Sequence, residues 1–192
     1  GKSTLMRCLM GLEEADSGQV VLATTDTIGY VEQEAELESW TLWEELSKAF
    51  EDVLAWQEEM KEIEERIAKA RELRAAGYNC AQCVLLSFDD VMPDGDTSML
   101  ARAASGFGSG IGASGEICGA ISGSVMILGI VREGVTRPDL YREIREAMAE
   151  FEQLEGARLC RDLKGPGRKP CLELITDAVT MLHNRLAKSA DM

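Results

Sequence analysis

The stretch GFGSGIGASGEICGAISGSVMILGIV, residues 106–131, decides how the larger part of this chain folds. Glycines at 106, 108, 110, 112 and 115 rule out a regular helix, since each costs about 1 kcal/mol in a helix interior relative to alanine. The spacing predicts a compact loop. Residues 117–131 then turn apolar and predict a buried helix with Cys118 at its start. Gly119 and Gly123, flanked by Ala120 and Ser124, would let another backbone come close. The apolar run is too short to span a bilayer, which takes about 20 residues. As a phosphate cradle the loop is a poor match: it lacks the lysine of a P-loop and follows no strand pattern.

Working outward, KARELRAAGYNCAQCVLLSF (residues 69–88) predicts a helix that stops at Gly77 and a new one, capped by Asn79, running through Phe88. A turn at 92–96 precedes a short helical segment at 99–104. Beyond the apolar helix, Leu140, Ile144, Met148 and Phe151 share one helical face. LEGARLCRDLKG (154–165) and the loop GPGRKP (165–170) lead to a last helix from Cys171, with Leu174, Ile175, Val179 and Leu182 apolar. No strand pattern appears after residue 70. Residues 70–192 therefore read as an all-α bundle of about five helices.

Residues 1–69 read differently. They hold 6 Lys and Arg against 17 Asp and Glu, whereas residues 70–192 hold 14 against 17. GKSTLMRCLMG (1–11) supplies only the last three positions of a phosphate-binding G-x-x-x-x-G-K-[ST] loop, followed by a helical spacing of Leu5, Leu9 and Leu12. A turn at 16–18, strands at 19–23 and 27–31, and Gln33 come next. From Trp40 the positions Trp43, Leu46, Phe50, Val53, Met60, Ile63 and Ile67 trace the seam of a long acidic amphipathic helix, suited to pairing with another helix. The predicted organisation is mainly α: a small α/β remnant (1–39), an acidic linker helix (40–69) and a helical domain (70–192).

This first third resembles the start of an ABC-F type ATP-binding cassette protein, on GKSTLMRCLMGLEEADSGQV, IGYVEQE and TLWEEL. The resemblance implies that Gly1, Lys2, Ser3 and Thr4 end a Walker A motif, with Lys2 toward the β/γ-phosphates, Ser3 toward Mg²⁺, and Gln33 the Q-loop residue. No signature motif, Walker B aspartate or switch histidine follows. Phosphoryl transfer needs all of these parts together, so independent ATPase activity is not expected. ATP and Mg²⁺ would bind only alongside the missing part of the motif. The expected chain is a truncated cassette start joined to a complete second domain.

A net charge of −14 and a pI near 4.5 argue against nucleic acid or an anionic membrane as partner. No signal-peptide pattern opens the chain, and a cytoplasmic location is expected. In that reducing compartment, six cysteines (Cys8, Cys80, Cys83, Cys118, Cys160, Cys171) point to redox or metal chemistry rather than a disulfide framework. Cys80, Cys118 and Cys171 fall at helix starts, where free N–H groups favour thiolate, and Cys160 ends its own segment beside a loop. The alternative is that each is a small hydrophobe in the core. His183, the one histidine, sits on the last helix with no metal-ligand spacing near it.

GYNCAQ, GFGSGIGASGEICGAISG, LCRDL and CLELI together resemble the C_GCAxxG_C_C family, which is described as redox-active. The resemblance covers about residues 68–192 and implies four motif cysteines at Cys80, Cys118, Cys160 and Cys171. Cys83 is extra, and either joins them or packs. Two chemistries follow. In thiol–disulfide exchange, Cys118 would be the nucleophile, Cys80 the resolver, and Cys160 with Cys171 a second pair. Alternatively, the four thiolates would bind zinc or an iron–sulfur cluster. Their spacings of 38, 42 and 11 residues match no compact zinc ribbon. The redox partner protein is not named by the sequence, and a homodimer stays open.

Overall fold

Capping residues and glycines set where most helices begin and end. The computed structural model describes residues 2–18, 43, 47, 50–92 and 97–190, and the chain divides into two units, Gly1–Phe50 and Glu51–Met192. In the first unit, helix α1 spans Lys2–Leu9 and buries none of its residues. Gly11, at φ 71°, takes the left-handed conformation after it, and the Leu12 N–H donates to the Arg7 carbonyl at 2.8 Å, a glycine-closed helix end. The expected strands at 19–23 and 27–31, and the turn into the helix at Trp40, lie outside the described residues.

The second unit is mainly α, with no strand among the described residues. Helix α2 spans Glu51–Ala75, α3 Cys80–Leu86, α4 Thr97–Ala104, α5 Gly119–Val131, α6 Arg137–Glu155, α7 Cys160–Leu163 and α8 Cys171–Ala190. The seam expected along α2 is buried only in its second half. Ala70 is fully enclosed and Ile67 and Leu73 pack on the core, while Val53, Trp56 and Met60 remain exposed. The second half faces α3 and α8. There the Arg66 guanidinium lies 4.4 Å over the Phe88 ring and donates twice to Asp90, at 2.6 Å each. Lys69 pairs with Asp89 alongside. These contacts fix α3, which carries Cys80 and Cys83, against α2.

The core is assembled from Leu85, Phe88, Ile121, Ile127, Leu128, Phe151, Ile175, Val179 and Leu182, all essentially inaccessible. Each such side chain contributes roughly 1.5–3 kcal/mol of burial. Helix α5 passes tightly against α3, as its small residues suggested. A Cβ at Gly123 would lie 2.6 Å from the Ala81 carbonyl oxygen, and one at Gly119 would lie 3.0 Å from the Cys80 Cβ. Glycine is what lets these two helix starts meet.

Candidate functional site: a cluster of helix-opening cysteines

The four motif cysteines each open a helix. Cys80 begins α3, Cys118 is the N-cap of α5, Cys160 begins α7 and Cys171 begins α8. Cys160 differs from the sequence expectation: it starts a short helix instead of ending the segment before it. Its position follows from an antiparallel backbone clip. Ile117 pairs with Leu159, the Cys118 N–H donates to the Arg158 carbonyl at 2.9 Å, and the Cys160 N–H donates to the Glu116 carbonyl at 2.7 Å. In that register Cys118 lies opposite Arg158, two residues from Cys160 on the same face.

Cys80 is fixed by a capping box. The Asn79 side chain accepts from the Gln82 N–H at 3.0 Å, and Gln82 Oε1 accepts from the Asn79 N–H at 3.0 Å. Asn79 Nδ2 also donates to the Ser105 carbonyl at 2.8 Å, and Gln82 Nε2 to the Ala101 carbonyl at 2.8 Å. The start of α3 is thereby tied to the end of α4 and to the glycine loop.

That loop is more unusual than a set of tight turns. Residues 109–113 have five consecutive positive φ values: 51° at Ser109, 76° at Gly110, 59° at Ile111, 58° at Gly112 and 65° at Ala113. This is a short left-handed run, which costs about 1–2 kcal/mol for each residue with a side chain. It is held by the Gly112 N–H on the Gly106 carbonyl (2.7 Å), the Ala113 N–H on Gly108 (3.2 Å) and the Glu116 N–H on Gly110 (3.1 Å). Gly110 sits directly on the site: a Cβ there would lie 2.7 Å from the Cys160 Cβ. Arg161 and Glu116 pair across the clip at 3.1 Å.

Electrostatics tie the thiols together. Burial pushes the Cys80 thiol up, and the neighbouring Cys171 adds to that; Arg74 acts the other way, and Cys160 raises it again. Burial pushes Cys118 up to about 12, against the amides of Ala120 and Ile121, which favour its thiolate; Cys80 and Cys160 push it further up. The helix start thus acts on Cys118 in the expected sense, but desolvation outweighs it, and Cys118 is not a thiol of low pKa. Cys171 is half-buried, whereas Cys80, Cys118 and Cys160 are 8%, 3% and 5% exposed. All six cysteines are free thiols. Among the described residues, no three His, Cys, Asp or Glu side chains converge as a metal-ligand group.

The other sequence candidates fall elsewhere. Cys83 is fully enclosed in the core, donates to the Tyr78 carbonyl at 3.6 Å, and is pushed up to about 11 by burial. Cys8 belongs to α1 of the first unit. Lys2, Ser3 and Thr4 form the exposed start of α1, while Gly1 and Gln33 lie outside the described residues. His183 is buried on α8, and that burial, with Arg66, holds its pKa below the usual histidine value against Glu62, Glu59 and Asp90. Arg74, the cation beside Cys80 and Cys83, was not singled out from the sequence. It lies six residues before Cys80 in a helix rich in charge, and nothing in its spacing marks it.

Known proteins bear on this arrangement in three ways. The family model described as "Putative redox-active protein (C_GCAxxG_C_C)" matches residues 78–185, a span that contains all four helix-opening cysteines. A methionine import ATP-binding protein, MetN, of Rhizobium johnstonii is 59% identical over 34 residues, 18% of this chain and 9% of that protein, so the chain spans only a small part of that relative. No solved structure matches. No helix among the described residues is long and apolar enough to cross a membrane.

Proposed function

Taking as premise that the chain belongs to the C_GCAxxG_C_C family of redox-active proteins, we propose that it carries out thiol–disulfide exchange, with Cys171 the thiol that meets substrate and Cys80 its resolver. The observation that carries this reading is that Cys80, buried at the start of α3, has the half-exposed Cys171 at the start of α8 as its neighbour, on two helices that pack together. The Cys171 thiolate attacks a substrate disulfide, forming a mixed disulfide and releasing one substrate thiolate. Cys80 then attacks the Cys171 sulfur, closing a Cys80–Cys171 disulfide and releasing the second substrate thiol. The substrate gains two electrons and the pair loses two. Arg74 favours the Cys80 thiolate that the second step needs.

This pairing differs from the one expected from sequence, in which Cys118 attacked first. Burial supports the change, because an attacking thiol must be both ionised and reachable. A nucleotide reading of Lys2, Ser3 and Thr4 is consistent with a short similarity of this chain to an ATP-binding protein.

Reduced protein mixed with 2-hydroxyethyl disulfide tests the exchange reading. With one equivalent of oxidant, release of two thiols per chain, lost in Cys171→Ser, is expected; undiminished release from Cys171→Ser overturns it. Metal analysis and an absorption spectrum of anaerobically purified protein test the competing chemistry. Stoichiometric zinc or iron lost on substituting any of the four cysteines would replace exchange by a metal site.

A further inference from the structure

The exchange reading uses two of the four motif cysteines and leaves Cys118 and Cys160 without a task. Both are deeply buried, both open helices, and the backbone clip holds them as same-face diagonal neighbours. Cys80 is buried beside them. Its Cβ lies 3.0 Å from where a Gly119 side chain would begin, immediately beside Cys118, and its thiol interacts with both Cys171 and Cys160. Cys118 in turn interacts with Cys80 and Cys160. Cys80, Cys118 and Cys160 are mutual neighbours, and the half-exposed Cys171 adjoins them at Cys80.

Resting on that exchange reading, we propose that Cys80 is a shared exchange point: a disulfide received at Cys171 passes through it to the buried pair Cys118 and Cys160. One chain then stores two disulfides, the inner one out of reach of solution thiols. The transfer is an internal isomerisation and needs no further oxidant. The Cys118 thiolate attacks the Cys80 sulfur, the Cys80–Cys171 bond breaks, and Cys171 leaves as thiolate and takes up a proton. The Cys160 thiolate then attacks the Cys118 sulfur, the Cys80–Cys118 bond breaks, and Cys80 leaves and is protonated. Two protons leave Cys118 and Cys160, and two arrive at Cys171 and Cys80. The pair Cys80 and Cys171 is free again for a second substrate disulfide.

Two features of the fold serve this step. The clip ties 116–118 to 158–160 through backbone hydrogen bonds, so bonding Cys118 to Cys160 draws these two segments against each other. The left-handed run, packed through Gly110 on Cys160 and hydrogen-bonded to Glu116, is the element that such a movement displaces. The inner step also depends on ionising Cys118, which burial opposes.

The full chain, reduced and then given one equivalent of 2-hydroxyethyl disulfide, tests this. Acid-quenched samples are alkylated and their disulfides mapped by mass spectrometry. Cys80–Cys171 should form first and give way to Cys118–Cys160 with no change in total thiol. The second phase should quicken about tenfold per pH unit between pH 7 and 9, following the thiolate fraction of Cys118. Excess oxidant should then restore Cys80–Cys171 beside the inner disulfide. In Cys160→Ser the outer disulfide should persist, and uptake by the motif cysteines should fall by half. If Cys118 and Cys160 both stay reduced in the unsubstituted chain while Cys80–Cys171 forms, the relay is wrong and exchange stands. If Cys118–Cys160 appears at an unchanged rate in Cys80→Ser, Cys80 is not the exchange point. A chain in which Cys171 is never oxidised overturns the exchange reading and the relay with it.

Discussion

The start of α3 and the run at 109–113 both deliver backbone to the cysteine cluster, by opposite means. At α3 every local preference agrees with the structure. Gly77 ends one helix at φ 94°, Asn79 caps the next, and Gln82 completes the box in which Cys80 is the first helical residue. In the glycine loop, Ser109, Ile111 and Ala113 sit at positive φ, where side chains are unfavourable, and Ile111 is β-branched as well. The first region would hold much of its shape on local grounds. The second persists because Gly106, Gly108 and Gly110 accept its hydrogen bonds and Cys160 packs on it. Strain beside a reactive group, maintained by its surroundings, is the usual signature of a functional constraint.

Substitutions can break this contrast at points of decreasing effect. Gly110→Ala is expected to cost about 3 kcal/mol or more, because the new Cβ meets Glu116 backbone at 2.7 Å and the position already has φ 76°. Urea unfolding measures it, and alkylation of Cys160 should quicken as the loop is pushed off. A midpoint equal to that of the unsubstituted chain would mean that the run is not pinned to the cluster. Asn79→Ala should cost about 1–2 kcal/mol, the loss of a cap and of its bond to the Ser105 carbonyl. Thermal unfolding reads this directly, and no loss would show that tertiary packing alone places Cys80. Ile111→Gly should change stability least and in the other direction. Ile111 is 45% exposed, so little burial is lost, and relief of its positive φ should raise stability by about 0.5–1 kcal/mol. A loss of stability instead would mean that Ile111 packs in a way its exposure does not suggest.

Much of the helical unit could be read from the chain. The capping signals at Gly77 and Asn79, the close-packing residues Gly119 and Gly123, and the apolar faces of α6 and α8 each act over a few residues. Their meaning is therefore local. The sequence at 109–113 specifies only a loop, because alternating glycines permit many turns and only hydrogen bonds made together select a left-handed one. The α2 seam was overestimated for a related reason. Val53 and Met60 have the right spacing, but burial depends on whether another helix lies opposite, and spacing does not report that.

The cysteines divide the same way. Through the family resemblance, the sequence grouped Cys80, Cys118, Cys160 and Cys171, and it left Cys83 open. Only the tertiary structure decided which of them touch, because Cys80 and Cys171 lie 91 residues apart and meet only through the packing of α3, α5 and α8. It also decided the acidity of Cys118. A helix start favours a thiolate by a local field that the chain announces, whereas desolvation is the sum of everything packed around the sulfur. At Cys118 that sum is the larger effect.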